Sequence, residues 1–228
     1  MKNLTLIIPA KKEAESLPYV LSELYSYDLN IMIVLSEKDT ETIEAIKETK
    51  SFKENKTNII FQENKGYGDA LIKGINSCKT KYFSIFNADG SFDPAELEGM
   101  LNLIKKDNFD LVFGSRYQKN SGSEDDTLIT FTGNYLFTYI GKIFFKLRIT
   151  DILYTFVVGK TLETQNLNLN NQDFGFCVEL PIKAHRKNLN IISSNSFERK
   201  RIAGKKKVNA FRDGFLILVK MIKLFFDR

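Results

Sequence analysis

Tyr82-Phe83-Ser84-Ile85-Phe86-Asn87-Ala88-Asp89-Gly90-Ser91-Phe92-Asp93-Pro94-Ala95-Glu96 is the stretch on which the reading of the fold turns. Its first part, 82–86, is an apolar run with little polar alternation, as expected of a strand covered on both faces. Helical spacing follows at Leu97, Leu101 and Ile104. The helix start between them is explicit: Asp93 can cap it, Pro94 suits its first turn and Glu96 completes a capping-box spacing. Residues 87–91 therefore sit at a strand's carboxyl end, and in open α/β sheets that edge is where ligands bind.

Outward from this stretch, β-type runs recur at 4–8, 31–35, 58–61 and 111–114, with helix-like segments such as the one carrying Val20, Leu21 and Leu24 between them. This rhythm reads as successive βαβ units, so the expected class is α/β with a mostly parallel sheet and a three-layer core. After Arg116 the texture changes. Residues 118–126 are polar and loop-like, and 129–149 form an amphipathic helical stretch rich in Phe, Tyr and Ile, with Lys142, Lys146 and Arg148 interspersed. The Asn-rich 166–171 reads as a surface loop, 178–187 as helix, 189–193 as strand, 198–207 as a basic segment and 211–228 as a closing apolar and basic helix.

A chain of 228 residues with 43% hydrophobic content can bury one full core, so one domain with appended elements is expected. Lys11, Lys12, Glu13 and Glu15 interrupt the first apolar run too early for a secretion signal, and the mature protein is expected to start at Met1. Neither long apolar stretch has the roughly 18 to 20 uncharged residues needed to span a bilayer. Cys78 and Cys177 lack metal-like spacing and read as buried thiols in a reducing cytoplasm. The net charge of +5 and pI near 9.0 favour an anionic partner: nucleic acid, a phosphorylated ligand or a membrane face. No aromatic stacking motif or groove-reading helix accompanies the charge, which ranks nucleic acid low.

At the 87–91 edge, Asp89 is a natural oxygen ligand for Mg²⁺ or Mn²⁺ held mainly by a substrate's phosphates. The bland alternative is that Asp89 and Gly90 only form a turn, and on the residues alone the two readings weigh about the same.

A resemblance shifts that balance. Leu6-Ile7-Ile8-Pro9-Ala10-Lys11-Lys12-Glu13 is similar to the motif at which family 2 glycosyltransferases hold the nucleotide, and Asn64-Lys65-Gly66-Tyr67-Gly68-Asp69-Ala70-Leu71 to their N-x-G-x-G-x-A-L segment. Asn87-Ala88-Asp89-Gly90-Ser91 occupies the place of their D-x-D, and Gly114-Ser115-Arg116-Tyr117 that of their G-S-R-Y. In the second half, Ile149-Thr150-Asp151 resembles the I-T-D before a strand in the polyprenyl-phosphate (dolichol-phosphate) sugar synthases. Phe174 to Glu179 resembles their F-x-x-E helix start, and Glu198 to Val208 their R-x-x-G-x-S-K segment, followed by Phe211-Arg212-Asp213-Gly214.

The resemblance implies a GT-A (Rossmann-like) nucleotide-sugar-binding domain over 1–210 and a C-terminal amphipathic helix over 211–228 able to lie at a membrane interface. It implies donor contacts at Pro9, Ala10, Lys12, Glu13, Lys65, Gly66, Asn87 and Ala88, with Mg²⁺ or Mn²⁺ on Asp89 and weaker ligands in Asn87 and Ser91; Ser36 and Glu37, where the chain departs from the family's run, are donor-site candidates by position. Asp89, Arg116, Arg201 and Lys207 become the catalytic candidates, Lys205 and Lys206 contributing a less directional field. The implied activity is inverting transfer of a sugar from a UDP- or GDP-type donor to a polyprenyl phosphate, by a cytoplasmic enzyme peripheral at the inner face of a membrane. A phosphate monoester, with its second pKa of about 6, needs no strong base to attack.

Two other readings stand beside it. Transfer to a saccharide hydroxyl in surface-glycan synthesis would need a base, for which Asp151 or Glu179 could be recruited. An inactive nucleotide-binding protein is suggested by Asn87, which replaces the first Asp of D-x-D, and by Ser36-Glu37-Lys38-Asp39 where relatives carry D-D-G-S. In 211–228, Phe215, Leu218, Ile222 and Phe225 can share one helical face and Lys220, Lys223 and Asp227 another. That pattern suits either the headgroup region of a bilayer or packing on the protein's own core.

Overall fold

The protein is described by a computed structural model covering residues 1–204 and 209–227. In chain order the elements are β1 (Leu4–Pro9), α1 (Leu17–Leu24), β2 (Asn30–Leu35), α2 (Thr40–Lys47), α3 (Lys50–Lys53), β3 (Thr57–Phe61), α4 (Tyr67–Ser77), β4 (Tyr82–Ile85), α5 (Glu96–Asp107) and β5 (Leu111–Ser115). There follow β6 (Gly122–Ser123), α6 (Leu128–Phe145), β7 (Val157–Lys160), α7 (Thr161–Gln165), α8 (Phe176–Arg186), β8 (Ile191–Asn195), β9 (Phe197–Glu198) and α9 (Ala210–Phe226).

The chain is α/β, with a mostly parallel seven-stranded sheet in the order β3-β2-β1-β4-β7-β5-β8. Alternation along β1 explains why its run is apolar at all but Thr5. Leu4, Leu6 and Ile8 enter one core with Leu17 and Leu21 of α1, Ile46 of α2 and Leu97 of α5, whereas Ile7 enters another with Leu71 of α4 and Val178 of α8. Both faces are thus dry, which makes three layers and leaves no solvent face to impose polar alternation.

Four details differ from the sequence reading. The antiparallel β7 enters the sheet between β4 and β5, and its short run Val157-Val158-Gly159-Lys160 is too brief to stand out by composition. Within the polar 118–126 segment, β6 pairs with β9 in a separate two-stranded ribbon. Helix α5 begins later than the Asp93 cap predicts: its cap position is Ala95, while Asp93 accepts the Ala95 N–H in a local turn at 2.9 Å. Glu96 makes no capping box and instead accepts the Phe197 N–H at 2.8 Å, fastening β9 to the helix. Finally, α6 stops at Phe145, because Lys146 takes a left-handed conformation with φ of 56°. Both cysteines are buried, and burial pushes the Cys177 thiol up to about 12, as befits an inert core group.

Candidate functional site

Strand direction gathers the site. β3, β2, β1 and β4 are mutually parallel, so the loops after them emerge on one edge of the sheet. Two successive antiparallel pairings, β4 with β7 and β7 with β5, restore the original direction in β5, and β8 follows β5 in parallel. The residues after β5 and β8 therefore reach the same edge, as do those that lead into β7. Pro9 to Glu13, Ser36 and Glu37, Lys65 and Gly66, Asn87 to Ser91, Arg116, Asp151 and Arg201 all belong to this rim.

The β1 and β2 loops are tied together. Asp39 accepts the Lys12 N–H at 2.6 Å, which holds Lys12 in a left-handed backbone conformation with φ of 53°. Thr42 accepts the Glu13 N–H at 3.0 Å, and Glu13 in turn accepts the Ser16 hydroxyl at 2.8 Å. Ala10 is buried and donates its N–H to Val34 O, Ser36 accepts the Lys38 N–H, and Glu37 is exposed. Asp39, rather than Ser36 or Glu37, thus shapes this part of the rim. In the β3–α4 loop Asp69 accepts from the Asn64 backbone and side chain, both at 3.0 Å. Gly66 serves close approach: a Cβ there would lie 1.9 Å from Gln172 O, and its φ is +140°. The 171–173 loop seats on this glycine, and Lys65 beside it is exposed.

At the centre, Asp89 Oδ1 accepts the Ser91 N–H at 3.1 Å, and Asn87 donates to the Ser91 hydroxyl, also at 3.1 Å. The other carboxylate oxygen, Oδ2, faces the Arg201 guanidinium at 3.5 Å. Ala88 is buried behind the loop. Gly90 has φ of +82°, and Ile202 packs so closely that an added Cβ would fall 2.4 Å from its Cδ1. The 199–202 segment lies along this loop, with Ile202 N–H donating to Asp89 O and Arg199 N–H to Ser91 O, each at 2.8 Å. Asp125 takes Arg201 at 2.8 Å, and Glu23 takes Arg199 in a two-point pair at 2.8 and 3.0 Å.

Arg116 is engaged differently. Its guanidinium makes a two-point contact with Asp151 at 2.8 and 3.1 Å and meets Glu198 at 3.0 Å. Asp151 has no exposed side-chain surface and also accepts from Asn134 of α6 at 2.6 Å. Burial opposes the charge on Arg116, but Asp151 and Glu198 outweigh it and hold the guanidinium protonated above its usual range. Arg116 is therefore already saturated by carboxylates, and Asp151 is held as a counter-ion, without the lone-pair freedom that proton abstraction needs. Tyr67 sits beside this ground, its hydroxyl 2.7 Å from Thr155 Oγ1 and its ring stacked on Phe174 at 5.1 Å. Burial first, then nearby negative charge including Asp89, raises its pKa.

Glu179 is not brought to this rim group. It is buried in α8, where it accepts the Asn170 and Asn171 N–H groups and pairs with Lys183 and with Lys220 of α9, each at 2.9 Å. Lys220 therefore faces the domain and not solvent, contrary to the polar face expected for the last helix. The catalytic candidate Lys207, with Lys205 and Lys206, lies outside the described residues. Asp125 and Asn134 hold Arg201 and Asp151 in place and the sequence reading singles out neither; Glu198 it names only as the start of the basic segment. Asp125 lies 76 positions from Arg201 and Asn134 lies 17 from Asp151, and no local motif links them.

Among the described residues no group of three or more His, Cys, Asp or Glu is arranged to hold a metal by itself. Asp89 with the oxygens of Asn87 and Ser91 nevertheless forms a hard, oxygen-only set carrying one carboxylate, the kind that suits a cation held mainly by a substrate's phosphates. The Arg201 guanidinium standing against it is a cation drawn to the same charge.

Comparison with known proteins agrees with this geometry. Residues 5–161 match Glycosyl transferase family 2. An uncharacterized glycosyltransferase of Mycobacterium tuberculosis is 23% identical over 216 residues, covering 94% of each chain. The low-salt glycan biosynthesis hexosyltransferase Agl6 of Haloferax volcanii is 23% identical over 218 residues, 93% of this chain and 51% of that protein. The fold is that of glucosyl-3-phosphoglycerate synthase from Mycobacterium tuberculosis, solved in complex with Mn²⁺, UDP and phosphoglyceric acid. The TM-score is 0.73 at 11% identity, over 99% of this chain and 79% of that one. With a family match that runs from β1 through the rim loops to β7, and the family's architecture around them, this chain belongs to glycosyl transferase family 2.

Proposed function

We propose that the chain transfers a sugar, with inversion, from a UDP- or GDP-type donor to a polyprenyl phosphate at a membrane surface. The observation that carries this reading is the pairing, on one rim, of a lone carboxylate, Asp89, with the arginine of a basic segment, Arg201. Both carboxylates open to recruitment as bases are engaged: Asp151 by Arg116, and Glu179 by Lys183 and Lys220. A phosphate acceptor, already ionised, works without such a base, whereas a hydroxyl does not.

In this reading Asp89, assisted by Asn87 and Ser91, would hold Mg²⁺ or Mn²⁺, in keeping with the Mn²⁺ and UDP of the mycobacterial synthase. The cation would supply charge neutralisation at the departing diphosphate. Pro9, Ala10, Lys12 and Glu13 line the nucleotide side of the rim, with Ser36, Glu37, Lys65, Gly66 and Ala88 flanking it. Arg201 and Lys207 receive the acceptor's phosphate, and Arg116 keeps the α6 side of the site in register through Asp151 and Asn134.

Lipid delivery falls to α6 and α9. Among the described residues no helix is long and apolar enough to cross a membrane. The two helices nevertheless pack together and expose apolar side chains, including Leu128 at 81%, Tyr135 at 64%, Phe211 at 82% and Phe215 at 66%. Phe144 and Phe225, with ring centroids 5.9 Å apart, join the two strips. Ile217, Met221 and Leu224 pack inward, so α9 seats on the core through one seam while presenting another outward. Such a face, with Lys142, Lys146 and Lys223 near it, suits the headgroup boundary of an anionic membrane.

The test is transfer of radiolabelled sugar from a donor panel to polyprenyl phosphates, with wild type and Asp89→Ala compared. Organic-extractable product should form and fall by about 100-fold or more in the variant. Label recovered only in water-soluble saccharide would replace the acceptor class. A second assay, liposome co-sedimentation of Phe211→Ser/Phe215→Ser, should lose binding while the melting temperature holds, since both side chains are exposed. Unchanged binding would remove the membrane claim.

A further inference from the structure

Arg201 is shared between two carboxylates. Its guanidinium reaches Asp125 Oδ2 at 2.8 Å through one nitrogen and Asp89 Oδ2 at 3.5 Å through another. The backbone around it is pinned on both sides. Arg199 is clamped by Glu23 and by Phe92 O, and Ile202 is hydrogen-bonded to Asp89 O and packed on Gly90. The main chain therefore keeps its place while the long arginine side chain can move between its two partners. The shorter contact goes to Asp125, a residue of the polar segment just before α6 that no motif singles out.

We infer that Arg201 is a built-in counter-ion for the donor site and that Asp125 is its positioning residue. Without a divalent cation, Arg201 neutralises Asp89. When a cation takes the Asp89 oxygens, the guanidinium gives way and stays on Asp125, within reach of the rim. This rests on the reading of Asp89 as the cation's ligand. Two cations cannot share one carboxylate oxygen at contact distance without strong mutual repulsion, so occupation of Asp89 by a metal and by Arg201 compete. The competition keeps Asp89 from standing as an uncompensated, partly buried charge. It also means that Asp125 eases cation entry by taking the arginine away, and does so only while the arginine is present. A salt bridge of exposed or part-buried kind is worth a modest free energy, which sets the expected size at about fivefold in affinity.

Binding of Mn²⁺ to the full chain with UDP held at a fixed, saturating concentration, read from the loss of the free-ion electron paramagnetic resonance signal against a UDP-only blank, tests this through a double-mutant cycle. Arg201→Met should bind Mn²⁺ about fivefold more tightly than wild type, and Asp125→Asn more weakly by a similar factor. Arg201→Lys, which keeps a cation on the segment, should stay close to wild type. In the double variant the Asp125→Asn effect should disappear, because the group it positions is gone. A weakening by Asp125→Asn that persists beside Arg201→Met would mean that Asp125 acts through its own charge, and would overturn the proposal. Equal affinities in wild type and Arg201→Met would overturn it as well. Asp89→Asn separates this from the underlying reading: binding lost there with no response to Arg201→Met defeats the exchange alone, whereas wild-type binding in Asp89→Asn defeats the cation reading and the exchange together. Thermal melts of each variant, and the resonance of the Arg201 Nη1 group that faces Asp89 during a Mg²⁺ titration of wild type, give a second measure. That resonance should shift with saturation if the guanidinium leaves Asp89, and a resonance that stays fixed through saturation counts against the exchange.

Discussion

Asp151 shows how one side chain can belong to the site without carrying its chemistry. It has no solvent-exposed surface, and it is surrounded by the Arg116 N–H, the Arg116 guanidinium and the Asn134 amide. Removing one partner of a buried pair leaves the other charge without compensation, which costs more than the pair itself contributes. Asp151→Ala should therefore lower stability by about 3 kcal/mol, at the mild end of the usual range because Glu198 still meets Arg116. The midpoint of urea denaturation at constant slope measures it. Asp89 is the opposite case: half-buried, with one oxygen spent on the Ser91 N–H and the other facing the Arg201 guanidinium at 3.5 Å. Replacing it should leave the denaturation midpoint nearly unchanged while removing transfer activity.

The last helix, seated on the core through Ile217, Met221 and Leu224, also carries polar contacts along its length. Asn209 caps it by accepting the Arg212 N–H at 3.0 Å, Lys220 meets Glu179, and the Arg186 guanidinium donates to Leu224 O and Asp227 O at its carboxyl end. A positively charged group at that end also complements the helix dipole. Glu179 makes this docking pH-dependent. Burial pushes its carboxyl up, but hydrogen bonds from Lys183, Lys220 and the Asn171 N–H outweigh burial, and the net direction is down. A carboxyl whose folded pKa is depressed contributes stability above its unfolded value, and that contribution is lost as pH falls through the folded one. Acidification below the ordinary carboxylate range should release Lys220 and loosen α9. Amide hydrogen exchange along 210–226 should rise at acid pH in wild type, and in Glu179→Gln it should be raised already at neutral pH. The same pairing explains why Lys220 is a poor probe of membrane binding: reversing its charge would break a buried contact, whereas Phe211 and Phe215 touch little.

Across the molecule, two dry cores on either side of one sheet hold the rim rigid, and ligands bound there should stabilise the whole domain. With donor and Mn²⁺ near one hundred times their dissociation constant, linkage gives about 2.7 kcal/mol, or roughly 5–10 °C in melting temperature for a chain of this size. Chelation of the metal, or Asp89→Asn, should erase most of that shift in a thermal melt with UDP present. Local sequence sufficed for much of this architecture. Strands β1, β2, β4 and β5 are legible as mostly apolar runs because burial on both faces removes regular polar alternation, and the 87–91 loop is legible because a strand ends and a helix begins around it. What the linear order could not carry is the antiparallel entry of β7, which brings Asp151 to the ligand edge, where a parallel strand would have carried it to the far one. Nor could it carry the partners of the site's arginines, Asp151 at 35 positions from Arg116 and Asp125 at 76 from Arg201. Composition and spacing determined the α/β class, the rim loop and the carboxylate upon it, since those follow from nearest-neighbour burial and turn chemistry. Which cations meet which carboxylates was decided only in three dimensions, because an ion pair depends on distance through space and is indifferent to distance along the chain.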